Sequence, residues 1–131
     1  MIFITGGCCQ SKRSFAKNEF SLSDKDFTDG GACTFESAFS RRALCHFELF
    51  AARAARSGRD PIRLLEAGVT LNSGIIIIAD EIGSGIVPED KQLRADREAA
   101  GRAACAAAEL ADTVYRVCCG IPMLIKGAAP F

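Results

Sequence analysis

Residues 74–85 read GIIIIADEIGSG, and this stretch decides the fold class. Its four consecutive isoleucines, Ile75 to Ile78, are β-branched and apolar at every position instead of every second one. β-Branching favours extended backbone, and an unbroken apolar run needs a strand covered on both faces. Asp80 and Glu81 follow at the carboxyl end and lead into a glycine loop. In open α/β sheets that end of a strand is where ligands gather.

The flanking segments extend the same pattern. Pro88-Glu89-Asp90 opens a helix reaching about Ala111, since proline fits a first helical turn and acids suit its positive end. The alanines of that helix, with Gly101, allow close packing against a sheet or another subunit. TVYRVCC (113–119) and MLIK (123–126) are strands separated by Gly120-Ile121-Pro122, a hairpin at the sheet edge. Upstream, Asp60-Pro61 starts a short helix that ends by Gly68. Phe35, Phe39, His46, Leu49 and Phe50 recur at helical spacing and predict one long helix from Thr34 to Ser57, stopped by Gly58. SLSDKDFTDGGAC (21–33) is loop with a short strand near Asp26–Asp29. Met1–Thr5 is a second apolar strand, followed by a loop and a helix from Lys12 to Phe20. Strand and helix alternate, which predicts an α/β class, a largely parallel sheet and one domain over 1–131. Gly6 to Lys12, Asp29, Asp80 and Glu81 then share one sheet edge.

The loop TGGCCQSKRS (5–14) is a candidate phosphate cradle. A P-loop reads GxxxxGK(S/T): backbone amides hold phosphates, lysine contacts the β and γ groups, and the hydroxyl binds Mg²⁺. Counting from Gly6, Lys12 is in place, while Ser11 replaces the second glycine and Arg13 the hydroxyl residue. Counting from Gly7 recovers Ser14 as the hydroxyl but moves Arg13 to the lysine position. The candidate nucleotide-binding residues are therefore Gly6, Gly7, Cys8, Cys9, Gln10, Ser11, Lys12, Arg13 and Ser14. A serine in an unusual backbone angle costs about 1 kcal/mol. The two cations and the helix N-terminus still attract an anion.

Composition narrows the classes. Sixteen basic residues balance sixteen acidic ones without a basic stripe, which disfavours nucleic acid or anionic membrane as a partner. The apolar run Ile75–Ala79 is about a quarter of what spans a bilayer, and MIFITGGCC lacks the pattern of a secretion signal, so a cytoplasmic protein is expected. There are seven cysteines and one histidine, His46, with no CxxC pair. Flanking Ala, Val and Gly residues suggest mostly buried, reduced thiols. Cys8 and Cys9 are the exceptions, placed where a helix N-terminus and two cations would lower a thiol pKa.

The run ADEIGSGIVPEDKQLRADREAAGR (79–102), followed by ELADTVYRVCCGIPMLIKG (109–127), closely resembles the bifunctional adenosylcobinamide kinase and adenosylcobinamide-phosphate guanylyltransferase family. That family carries a strand ending in N/D-E-V/I-G-x-G-I-V-P, a helix with R-D-x-x-G-R and a terminal VxxGIxxxIK hairpin. Here these are Asp80 to Pro88, Arg94 to Arg102 and Val117 to Lys126, and MIFITGG matches the strand entering the family's P-loop. The resemblance implies a RecA-like P-loop NTPase fold, a three-layer sandwich with a mostly parallel sheet and a C-terminal antiparallel hairpin. It also implies a homotrimer, ATP or GTP with Mg²⁺, and adenosylcobinamide as the phosphoryl acceptor.

On that basis Lys12, Asp29 and Glu81 are the candidate catalytic residues, and Asp29 and Asp80 the candidate metal ligands. The family's usual GGxRSGKS differs at Ser11 and Arg13. The stretch bearing its guanylylated histidine is missing here, and His46 lacks that histidine's surroundings, being expected as a partly buried mid-helix residue. The implied function is nucleotide-dependent phosphorylation of adenosylcobinamide without guanylyl transfer. A non-catalytic nucleotide- or corrinoid-binding paralogue is the alternative, and an oligomeric scaffold built on the alanine-rich helix a third.

Overall fold

The structure, a computed structural model, describes residues 1–128. The apolar run Ile75–Ile78 forms the strand β4 (Ile76–Asp80), hydrogen-bonded to β1 (Ile2–Gly6) in parallel with Ile2 opposite Ile76 and Gly6 opposite Asp80. On the other side of β1 lies β5 (Thr113–Cys118), also parallel. β2 (Phe27–Asp29) and β3 (Ala43–Cys45) extend the sheet beyond β4, and β6 (Ile121–Lys126) closes the far edge antiparallel to β5. Among the described residues the sheet has six strands in the order β2-β3-β4-β1-β5-β6.

Helices cover both faces, as an apolar parallel sheet requires. On one face, α1 (Lys12–Phe20) packs with Ile4, Ile76, Ile78, Cys45, Phe27, Tyr115 and Val117. On the other, α2 (Phe47–Arg56), α3 (Pro61–Leu71) and α4 (Lys91–Leu110) enclose Phe3, Leu44, Ile77, Ala79 and Val114. Ala100, Ala103 and Ala107 of α4 are the small residues that let it lie close to this layer. The result is the three-layer α/β sandwich, with parallel strands and a C-terminal antiparallel pair, that the sequence predicts.

The long helix expected over Thr34–Ser57 does not form. Residues 34–42 are turns, Ala43–Cys45 is a strand and only Phe47–Arg56 is helical. Burial decided this: Ala43, Leu44 and Cys45 are all enclosed between β2 and β4, where ladder bonds satisfy their backbone. The aromatic periodicity is real but comes from two separate segments, with Phe35 and Phe39 both packing edge-on against Phe50.

Boundaries elsewhere move slightly. α3 runs through Gly68 to Leu71, with the Asp60 carboxylate accepting from the Ile62 amide. α4 begins at Lys91 with Asp90 as its cap. The hairpin turn falls on Cys119 and Gly120, both at positive φ (50° and 78°), not on Gly120-Ile121-Pro122. That is the backbone hand that two-residue hairpins prefer. Pro122, paired with Val117, sits in β6 at the open edge, where a missing N–H costs little.

The thiols also differ from expectation. Cys45 alone is buried and Cys33 is half-buried, whereas Cys8, Cys9, Cys105, Cys118 and Cys119 are exposed. Flanking small residues marked helix packing and tight loops here, not enclosure of the thiol.

Candidate functional site

Gly6 ends β1 at φ 151°, and a Cβ there would run into the Val117 carbonyl oxygen. Only glycine lets the chain leave β1 this close to β5. The loop then takes left-handed turns at Cys9 (φ 57°) and at Ser11 (φ 67°), the residue capping α1. Ser11 thus carries the strained angle anticipated for it, and its side chain forms no cap hydrogen bond. Gln10 ties the loop to the β5–β6 turn: its carbonyl accepts from Gly120 N–H and its side-chain oxygen from Cys119 N–H.

Lys12 points inward and is only 6% exposed. Its Nζ donates to the Gly7 carbonyl at 2.6 Å and pairs with Asp80 Oδ1 at 2.6 Å. A buried ammonium needs such compensation, and the carboxylate at the end of β4 supplies it. Arg13 turns the other way, bonding Asp24 at 3.0 Å and lying over the Phe27 ring at 4.4 Å.

Lys12, Arg13 and Asp80 line a cleft of ≈ 320 Å³ with Cys8, Cys9, Gln10, Ser11, Ser14, Cys45, His46 and Ile78. A larger cleft of ≈ 720 Å³ lies at the amino ends of β3 and β4, lined partly by Arg41 and Arg42. Those guanidiniums are already engaged with the backbone carbonyls of Phe27, Phe20 and Ser21. The smaller cleft, at the carboxyl ends of the strands, is where the chemistry-bearing residues meet.

The other expected residues split. Asp29 ends β2, and its Oδ1 accepts from the Gly31 amide at 2.9 Å and meets His46 Nδ1 at 2.9 Å. The His46 hydrogen bond, then that of Gly31, holds the Asp29 carboxyl below its usual range. Glu81 lies on the far side of the β1–α1 loop, beside Gly7 and Gln10, with its carboxylate 3.2 Å from Arg116 of β5. His46 is not mid-helix: it occupies a left-handed position (φ 53°, ψ 44°) between β3 and α2, with its side chain half-exposed. Cys8 departs from its expected lowered pKa. Its hydrogen bond and charge coupling to Cys9, with Asp80 nearby, push its thiol up.

Glu48 is the residue that sequence reasoning missed. It is 5% exposed, and its Oε2 accepts the Asp80 backbone N–H at 3.0 Å. Burial raises its carboxyl pKa, opposed by that hydrogen bond and reinforced by the Asp80 charge. The available signal was an acid inside the arc Phe47, Phe50, Ala51 and Ala54, which the helix buries.

Residues 81–90 form an exposed loop between β4 and α4, braced from below by arginines of α4. Arg97 donates to the carbonyls of Gly83, Gly85 and Ile86, and Arg94 to those of Pro88 and Glu89. A fixed loop shape therefore depends on two side chains one helical turn apart. Among the described residues, no helix is long and apolar enough to cross a membrane.

Residues 44–125, well over half of the chain, match the family model described as cobinamide kinase / cobinamide phosphate guanyltransferase. The match runs from β3 to β6 and takes in the braced loop. No curated protein matches the chain.

Proposed function

Since the chain belongs to the cobinamide kinase / cobinamide phosphate guanyltransferase family, we propose that it phosphorylates adenosylcobinamide with ATP or GTP, without guanylyl transfer. Membership carries the coarser statement: a cobinamide kinase/guanyltransferase-like function in cobalamin biosynthesis. The observation supporting the finer one is Lys12, enclosed at the head of α1 with Asp80 as its partner.

In this reading the nucleotide phosphates enter the cleft and take over Lys12 Nζ from Asp80. The first amides of α1 and the loop backbone face the same oxygens. Asp80, released from the lysine, and Asp29 are oxygen donors of the kind a hard cation takes. Bound Mg²⁺ would supply charge neutralisation at the phosphates. Glu81 or Asp29 orients the acceptor hydroxyl. A homotrimer is part of the proposal, supported by exposed apolar residues on the β4–α4 loop (Ile86, Val87) and on β6 (Ile121, Met123, Ile125).

One observation favours a second reading, a non-catalytic nucleotide- or corrinoid-binding protein. Arg13 stands where a hydroxyl would hold Mg²⁺, and it is turned away toward Asp24. Incubation with adenosylcobinamide, Mg²⁺ and ATP or GTP, followed by mass spectrometry of the corrinoid, separates the two. A phosphorylated product that Lys12→Ala abolishes supports the kinase. Binding of nucleotide or corrinoid without product leaves the second reading, and absence of binding to either removes both.

A further inference from the structure

The carboxyl ends of β2 and β3 bring together three groups of a different character from the phosphate loop. Asp29 and Cys45 are register partners in parallel strands, so both side chains leave the sheet on the face that α1 covers. His46 follows with a left-handed backbone that sets its Nδ1 2.9 Å from Asp29 Oδ1. A carboxylate oxygen, a thiol sulfur and an imidazole nitrogen lie within 4.8 Å of one another. The backbone is built for this approach. Gly30 N–H donates to the Cys45 carbonyl at 2.8 Å, and a Cβ on Gly30 would stand 2.5 Å from the His46 carbonyl oxygen. Any larger residue would force β2 away from the end of β3.

We propose that Asp29, Cys45 and His46 form a site for a divalent transition metal of the zinc class, with its open coordination facing the phosphate cleft. A thiolate, an imidazole and one carboxylate favour zinc and its neighbours over Mg²⁺, which prefers oxygen alone. Bond lengths of about 2.0–2.3 Å in a tetrahedron place donors about 3.3–3.7 Å apart, so side-chain rotation within this cluster suffices. Three protein ligands leave a fourth position. Cys45 and His46 line the same cleft as Lys12 and Ser14, so water or a phosphate oxygen can fill it. On binding, the Cys45 S–H bond breaks, its proton goes to solvent and a sulfur–metal bond forms. His46 coordinates through Nδ1 as the tautomer that carries its N–H on Nε2. The cluster needs no nucleotide; it takes Asp29 for the transition metal and leaves Asp80 and Glu81 for the kinase reading, so the two can fail separately.

Co²⁺ is the probe, added to the reduced, full-length protein without nucleotide. The expected result is one Co²⁺ per chain, with a near-ultraviolet sulfur-to-cobalt charge-transfer band that excess Mg²⁺ leaves unchanged. Cys45→Ser should abolish the band. His46→Asn, which keeps a residue tolerant of left-handed backbone, should weaken binding by at least about tenfold. Replacing Cys8, Cys9, Cys118 and Cys119 together by serine should leave both band and affinity intact. A band that survives Cys45→Ser, or that disappears in the four-serine variant, overturns the site in favour of the surface thiols. Should Cys45→Ser fail to fold, His46→Asn decides: unchanged Co²⁺ affinity overturns the proposal.

Discussion

Residues 1–43 and residues 44–125 solve the same problem, shaping a loop at the carboxyl end of a strand, by different means. The first loop, after β1, is shaped by backbone: Gly6 against β5, left-handed turns at Cys9 and Ser11, and Gln10 bound to the hairpin turn. The second, after β4, is shaped by side chains, with Arg94 and Arg97 gathering five carbonyls. The family model matches the second region and not the first. The comparison teaches that a loop at the end of a strand can be held either by its own backbone geometry or by the side chains of a neighbouring helix.

The largest expected effect breaks the first loop at its root. Gly6→Ala drives a Cβ into the Val117 carbonyl in a backbone region closed to alanine, and should destabilise the protein by more than about 2 kcal/mol in denaturant unfolding. Gly101→Ala in α4 meets nothing within 4 Å and should stabilise by about 0.5–1 kcal/mol. Equal effects at the two glycines would erase the distinction between the regions.

Arg97→Ala tests the second loop. Amide exchange over residues 83–87 should accelerate about tenfold while the β1 and β4 amides stay protected, since the change is a local opening. Ser11→Gly should relieve the left-handed strain and stabilise by about 1 kcal/mol. No gain in thermal midpoint would mean that the loop adapts to serine.

Glu48 gives the subtlest test, through pH. Its carboxyl pKa is raised by burial, so the folded state holds its proton more tightly than the unfolded state does. Its contribution to stability is therefore complete below the ordinary carboxyl pKa and is lost as pH rises through the folded value. Glu48→Gln, which keeps an acceptor for the Asp80 amide, should remove that decline and stabilise the protein at neutral pH. A wild-type pH profile reproduced by the variant would show that Glu48 does not cause it.

Legibility in the sequence followed how local each signal was. β4 and β1 each open on an unbroken apolar run and could be read directly, as could the hairpin and the Asp60-Pro61 helix start. β3 could not: three residues of no marked strand preference sit amid helical spacing, and only enclosure between β2 and β4 makes them a strand. Missing β3 turned His46 into a helix residue and hid its contact with Asp29, which exists only because the two strands are neighbours. Lys12 was legible as the lysine at the head of a helix and Asp80 as a strand-end residue. Their 2.6 Å pairing needed the β1–β4 register, in which Gly6 stands opposite Asp80. Glu48 needed the burial of α2 against the sheet.

The central claim is that the loop at Gly6–Ser14 binds nucleotide phosphate through Lys12 despite Ser11 and Arg13. Calorimetric titration of ATP and GTP with Mg²⁺ into the wild-type protein and Lys12→Ala tests it most directly. The account predicts saturable binding to the wild type, weakened about 10- to 100-fold by the substitution, the range expected for a charge-assisted contact. Absence of binding to the wild type, or equal affinity in Lys12→Ala, would contradict it.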